Sequence, residues 1–391
     1  MLSIKLLGRI VICSLALLIG LAIPCAAQPD HGSPHHFASL QLLHPIATSG
    51  DPETTTNFRL SVFYGRSGAI HGVDLNTVAG VTSGDVTALQ LTGLYASTGG
   101  IFRGMSLTGG LSHLKSGGAG FQISGLANYD EDVFAGLQIA GLLNYTSRGF
   151  AGAQISAIMN LNDGGGTFLQ ASSVANVNAG PFAGAQVAAF INAANSQMGG
   201  GQLALVNFAE SLNGIQLGFL NLANEFQGLQ IGVLNLNNEF SGTPIGLINM
   251  DDHSRKEWMF YGSNLSLANI GFRTVLNKWS SVLSAGYGDV QGDVEASLFL
   301  GWNFGRVIPL TKRWDLTIDL GYQHIMPKVS NNPDENDRLH YSLQGRALGE
   351  FHLNDSLGFV GAVGSSTVFD EYKSGADNET DLLFSAGIVL Y

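Results

Sequence analysis

The chain is poor in charge, thiol and uninterrupted apolar sequence. Charged residues make up 12% of its 391 residues, about half the usual share of a soluble domain. Its two cysteines, Cys13 and Cys25, both precede Gln28. The rest of the chain therefore has no disulfide, no thiolate metal site and no cysteine nucleophile. Beyond the N-terminal segment no apolar stretch is long enough for a transmembrane helix. Glycine, at 52 residues, is plentiful. High glycine, low charge and few helix signals favour strands and turns, and the expected class is all-β.

The N-terminal segment has Lys5 and Arg9, an apolar run from Ile10 to Ile23 and small residues at Ala26 and Ala27. This is the layout of a secretory signal peptide, with cleavage expected after Ala27. Lipidation of Cys25 is the competing outcome, opposed by Pro24 where such signals place a small residue. Loss of the segment removes two positive charges and takes the net charge from −12 to −14, which disfavours nucleic acid as a partner. Residues 28–57 are expected to be a polar linker.

A fixed period runs through the next region. Asp74, Gln90, Ser106, Gln122, Gln138, Gln154, Gln170, Gln186 and Gln202 recur at every sixteenth position, and Gln216, Gln230 and Pro244 continue at every fourteenth. Asparagine follows at Asn128, Asn144, Asn160, Asn176 and Asn192, then at Asn207, Asn221, Asn235 and Asn249. A large apolar residue stands four places before most markers, as at Phe134, Phe150 and Phe182, with Gly166 a departure. The unit reads FxGhQhxGhhN, with h apolar.

Such a unit fits one coil of a β-solenoid or one strand of a membrane barrel. Neighbouring barrel strands run in opposite directions, so a barrel duplicates hairpins, whereas here single units are alike. Losing one residue between Gln and Asn would also swap the faces of a continuous strand; a coil absorbs it at a corner. In favour of a barrel, charge is scarce, and Leu142, Ile158 and Phe190 make both faces partly apolar. Identical units want identical environments, and the expectation is a solenoid over 58–250. Gln122, Gln138, Gln154, Gln170 and Gln186 are expected to form one stacked ladder, and Asn128, Asn144, Asn160, Asn176 and Asn192 another.

The run GLQIGVLNLNNEFSGTPIGLINM, from Gly228, resembles a bacterial surface-repeat family with GLQIGxxN units, and the lead-in with Arg59, Tyr64, Gly65, Gly72 and Asp74 is similar to that family's. The resemblance covers 58 to about 250 and implies a bacterial surface location without implying an activity.

After the charged stretch MDDHSRKEW, residues 250–258, the pattern becomes strict alternation. Trp314, Leu316, Ile318, Leu320 and Tyr322 oppose Asp315, Thr317 and Asp319, a period-two strand signal. About eight such strands, with an aromatic C-terminus at Tyr391, predict an eight-stranded antiparallel outer-membrane β-barrel over 251–391. The polar stretches KVSNNPDENDR and DEYKSGADNET suit its longer extracellular loops. One large barrel of about twenty strands, forming a pore, is the alternative fold.

Chemistry is sparsely signalled. His31, His35 and His36 are metal-ligand types on a tail without placed acidic or thiolate partners. His340, Ser342, Arg346, Glu350 and His352, with Asp315 and Asp319, are types a small barrel hydrolase would use, but an eight-stranded barrel also needs paired charges merely to fill its interior. NNPDEND lacks the spacing of a calcium loop, and no phosphate-binding glycine motif occurs. The expectation is a non-enzymatic outer-membrane or cell-surface protein of a Gram-negative bacterium with a structural or surface-interaction role. No catalytic, cofactor or metal site is assigned; membrane lipid is the expected partner, and a surface ligand is left unidentified.

Overall fold

The structure, a computed structural model, describes residues 35–48, 53–288, 297–326, 340–370 and 379–391. The expected leader, His31, the acidic stretch 328–338 and most of the second expected loop lie outside them. The described residues are all-β: a parallel solenoid of about thirteen turns, then a closed barrel of eight antiparallel strands.

Each of the longer coils consists of a seven- or eight-residue strand, a corner, a short strand and a second corner, as in Phe134–Ala140 followed by Leu143–Thr146. Successive coils pair parallel and in register, with Gln122 opposite Gln138 and Asn128 opposite Asn144. In the shorter coils one corner vanishes, giving continuous strands such as Val206–Leu217 and Leu220–Ile231. Register survives the change: Asn192 pairs with Asn207 and Gln202 with Gln216, and the slack is taken up between Ala194 and Gln197. A coil can lose a residue at a corner without exchanging faces, which a continuous membrane strand cannot do.

The solenoid begins earlier than position 58. His35–Leu43 pairs parallel with Thr55–Ser67 and folds back on Ile46–Ala47, so part of the expected linker is strand. Gln41 clamps that first coil, its Nε2 donating to the Arg66 carbonyl at 2.9 Å and its Oε1 accepting from the Arg66 amide at 2.7 Å.

Two apolar clusters fill one side of the coils, one around Ile70, Val86, Phe102 and Phe134, the other around Phe150, Phe182, Met198, Leu212 and Phe226. Gly166 interrupts the aromatic column because its neighbours use the space: a Cβ there would lie 2.6 Å from the Phe150 ring and 2.9 Å from that of Phe182. The glycine two residues before most markers, with Ala88 and Phe168 the exceptions, has a different cause. Gly136 has φ 136°, and a Cβ on it would meet the Gly120 carbonyl oxygen at 2.0 Å. Backbone conformation and coil spacing both demand glycine.

The barrel strands are Arg255–Ser263, Ala268–Leu276, Trp279–Gly288, Ser297–Pro309, Trp314–Met326, His340–His352, Leu357–Asp370 and Glu379–Leu390. The first closes on the last, with Trp258 opposite Leu390. The solenoid edge, Ile248–Met250, pairs with the preceding coil, and the twenty-strand barrel weighed as the alternative is not formed. The connections 277–278, 310–313 and 353–356 lie at one end, with Arg255 and Tyr391; the connection 264–267 and the strand ends at Gly288, Met326 and Asp370 lie at the other.

Candidate functional site

Three places concentrate polar side chains out of water: the solenoid interior, the barrel interior and the junction between them.

In the solenoid, each glutamine donates from Nε2 to Oε1 of the glutamine one coil earlier. The distances are 2.9 Å from Gln138 to Gln122, 2.7 Å from Gln154 to Gln138, 3.0 Å from Gln170 to Gln154 and 2.8 Å from Gln186 to Gln170. The chain of bonds continues through Gln202, Gln216 and Gln230. The asparagine column runs the other way: Nδ2 of Asn128, Asn144, Asn160 and Asn176 donates to Oδ1 of the following asparagine, ending that set at Asn192, at 2.8 to 3.0 Å. The two columns of amide dipoles are therefore opposed and offset each other. The second Nδ2 hydrogen fixes the corner: Asn128 donates to the Ile139 carbonyl at 2.9 Å and Asn144 to that of Ile155 at 2.8 Å. These side chains are buried, and such groups are tolerated only because each has partners.

Ion pairing starts the glutamine column. Arg59 holds both Asp74 oxygens at 2.7 and 2.8 Å, and Asp74 accepts from Gln90 at 2.9 Å. Ser106 bonds to Gln90 at 3.1 Å, and Gln122 turns instead to Ser112 at 3.0 Å. Asp130, which follows the asparagine column where Thr146 and Asn162 follow it in later coils, is fully buried. Burial pushes its carboxyl up to about 8, although amide donors from Gln122 at 3.0 Å and Gln138 at 2.6 Å pull the other way.

The barrel interior separates the residues that composition grouped. Arg346 binds Asp319 bidentately at 3.0 and 2.9 Å. Asp315 accepts from Arg255 at 3.2 Å and lies 3.2 Å from His352 Nε2. Glu350 takes Arg273 on one oxygen and the Tyr391 hydroxyl, at 2.6 Å, on the other; Arg273 also binds Glu257. Ser342 bonds to Gln323 at 3.4 Å. It sits ten positions from His352 on one strand, about 33 Å away at strand rise, so the two do not form a nucleophile and base pair. The side chain of His340 is outside the described set. Arg273 and Glu257 were missed in the sequence because Glu257 lies in the charged boundary stretch, which hides its place in the strand alternation. Met259, Val282, Leu348, Val360 and Val389 pack beside this network and fill the lumen.

His35 and His36 are adjacent on one strand, so their side chains leave on opposite faces. Among the described residues no three of His, Cys, Asp and Glu come together as a metal site.

At the junction, Thr274 and Ser281 pair across neighbouring strands and point away from the interior residues Arg273 and Val282. Both are buried all the same, by the last solenoid coil. Ser281 Oγ lies 2.7 and 2.8 Å from the carbonyls of Gly246 and Leu247, Trp302 Nε1 donates to Gly246 at 3.2 Å, and Asn277 Nδ2 donates to Gly242 at 2.8 Å. The outer wall of the barrel thus caps the open edge of the solenoid, where unpaired strand groups would otherwise invite aggregation.

The chain matches no known family, no curated protein and no solved structure.

Proposed function

We propose that the protein is a non-enzymatic structural component of a bacterial outer membrane, with the barrel as anchor and the solenoid as a rigid arm. The observation that carries this reading is the outer wall of the barrel. Ile270, Leu300, Ile318, Leu320, Leu343, Val363 and Leu382 are exposed on it, with Trp258 and Trp314 exposed toward the end with the short connections and Tyr287 toward the other. An outward apolar face on a closed barrel, with exposed aromatic side chains near both ends, is what a membrane-spanning barrel presents to lipid. Short connections mark the periplasmic end of such barrels. The solenoid enters at that end, so it lies on the periplasmic side. The signal-peptide layout of the segment up to Ala27 and the resemblance of the repeats to surface proteins support export.

The filled lumen and the arginine-paired interior acids support an anchor over a pore or a hydrolase. Planar-bilayer recording tests this together with alkaline extraction of outer membranes: the protein stays in the washed pellet and adds no conductance steps. Release by carbonate would overturn the membrane reading, and reproducible conductance would overturn the anchor.

A further inference from the structure

The solenoid buries its amide columns beside two apolar clusters and still leaves much apolar surface outside. The corner just before the asparagine strand carries Leu94, Leu126, Leu142, Ile158, Phe190 and Phe219, all exposed, with Leu126 at 53% and Phe190 at 54%. From Leu126 onward they form one line along the coils, with Leu94 set apart by Gly110: the amide of Leu142 donates to the carbonyl of Leu126 at 2.8 Å, and that of Phe219 to Leu205 at 3.0 Å. Flanking outward positions such as Ile155, Val187 and Leu203 are apolar too. The exposed charges Arg148, Asp163, Glu210, Glu225 and Glu239 come in the segment after the asparagines, at the opposite corner. A continuous apolar ridge of this length on a low-charge surface calls for a nonpolar partner.

The ridge also has a defined end. Its last member, Leu247, lines a groove on the outer wall of the barrel together with Trp258, Phe272, Leu283 and Trp302, the surface assigned above to lipid. We infer that the solenoid lies along the periplasmic leaflet of the membrane its barrel spans, with the ridge immersed among phospholipid acyl chains and the charged corner in water. The inference rests on the membrane reading of the barrel. Two features favour lipid over a protein partner: the ridge runs directly into the lipid-facing wall, and its side chains vary freely among Leu, Ile, Val and Phe, as a fluid phase tolerates.

The test uses the full chain with Cys13→Ser and Cys25→Ser, refolded into phospholipid vesicles and carrying one environment-sensitive fluorophore on an introduced cysteine. Ridge variants are Leu126→Cys, Ile158→Cys and Phe190→Cys; charged-corner variants are Asp163→Cys and Glu210→Cys; barrel-wall variants are Leu320→Cys and Leu382→Cys. All seven sites are exposed, so the core is untouched, and circular dichroism checks the fold. With a quencher attached to the lipid acyl chain, ridge and barrel-wall probes lose most of their emission and charged-corner probes keep theirs. Quenching of the barrel wall alone would overturn the inference and leave the anchor standing. No quenching at either place would overturn both. Ridge probes that are shielded but unquenched by lipid would mean a second copy or another protein covers the ridge, and would also overturn it.

Discussion

The Ser281 hydroxyl, on the outer wall of the barrel, lies 2.7 Å from the carbonyl oxygen of Gly246 in the last solenoid coil. Trp302 donates to the same carbonyl and also to Ser281, at 2.9 Å. One solenoid edge is therefore finished by side chains of another fold. Combining Ser281→Ala with Trp302→Phe removes two of the three donors to that carbonyl, leaving Asn249 Nδ2 at 3.0 Å, and takes from the Leu247 carbonyl its Ser281 partner; a buried acceptor that loses its partner costs about 1–3 kcal/mol. Hydrogen exchange over residues 234–250 should speed up accordingly while barrel amides keep their protection. Unchanged exchange would mean the contact does not hold the edge.

The glutamine column should behave as a network. Gln154→Ala leaves the donor of Gln170 without its partner and the acceptor of Gln138 with only Thr146, at 3.4 Å; a buried group left unpaired costs about 1–3 kcal/mol. Gln154→Met, which keeps the volume, should still lose most of that. The readout is local opening free energy across residues 134–188, and recovery in the methionine variant would assign the effect to packing instead.

Gly136→Ala and Phe168→Gly should move stability in opposite directions. The first places a methyl 2.0 Å from a carbonyl oxygen and should cost several kcal/mol. Phe168 occupies the same column with φ 89° and is largely exposed, so glycine relieves backbone strain of about 1–3 kcal/mol while losing little buried surface. Urea unfolding of the full chain, followed by hydrogen exchange of the coils, measures both.

Asp130 makes the solenoid pH-dependent. Its carboxyl ordinarily titrates at 3.8, but burial holds the proton to about 8 in the folded coil. The folded state thus binds more protons than the unfolded one between these values. Stability from this group is complete at acid pH and drains away as pH rises, at up to about 1.4 kcal/mol per pH unit. Asp130→Asn should leave opening free energies near residues 122–146 flat from pH 4 to 8 and make the coil firmer than wild type at pH 8. An equal slope in both proteins would contradict this assignment.

Arg273 bridges two buried carboxylates, Glu257 and Glu350. Arg273→Met should destabilise the barrel by about 3–5 kcal/mol, and adding Glu257→Gln and Glu350→Gln should restore most of it. Urea unfolding in detergent reads the difference; no loss in the single variant would show that the pair is not needed.

The division into solenoid and barrel was legible because both halves obey strict periods: Gln and Asn returning at every sixteenth or fourteenth position, then strand alternation ending at Tyr391. The ladders followed from repetition itself, since a side chain recurring once per coil must meet its own copy. What stayed hidden arises between periods. Gln41 binds its coil through a backbone contact in an unrepeated segment, so the start of the solenoid read as linker. Asp130 heads a run Asp130-Glu131-Asp132 that carries no repeat signal, and it turns inward. Ser281 and Trp302 carry no signal of docking, because outward positions of a barrel strand look alike whether lipid or a solenoid covers them. The apolar corner was visible at Leu142, Ile158 and Phe190, where it argued for a barrel; the structure makes it the outside of a coil.

The most direct test of the account is protease sidedness in cells, comparing trypsin added to intact cells with trypsin added after the outer membrane is opened. The account predicts that peptide bonds after Arg103, Lys115 and Arg148 in the repeats are spared in intact cells and cut once the membrane is opened, with the fragment that carries the barrel strands retained in the carbonate-washed membrane. Cutting at those residues in intact cells would place the solenoid outside and contradict the account.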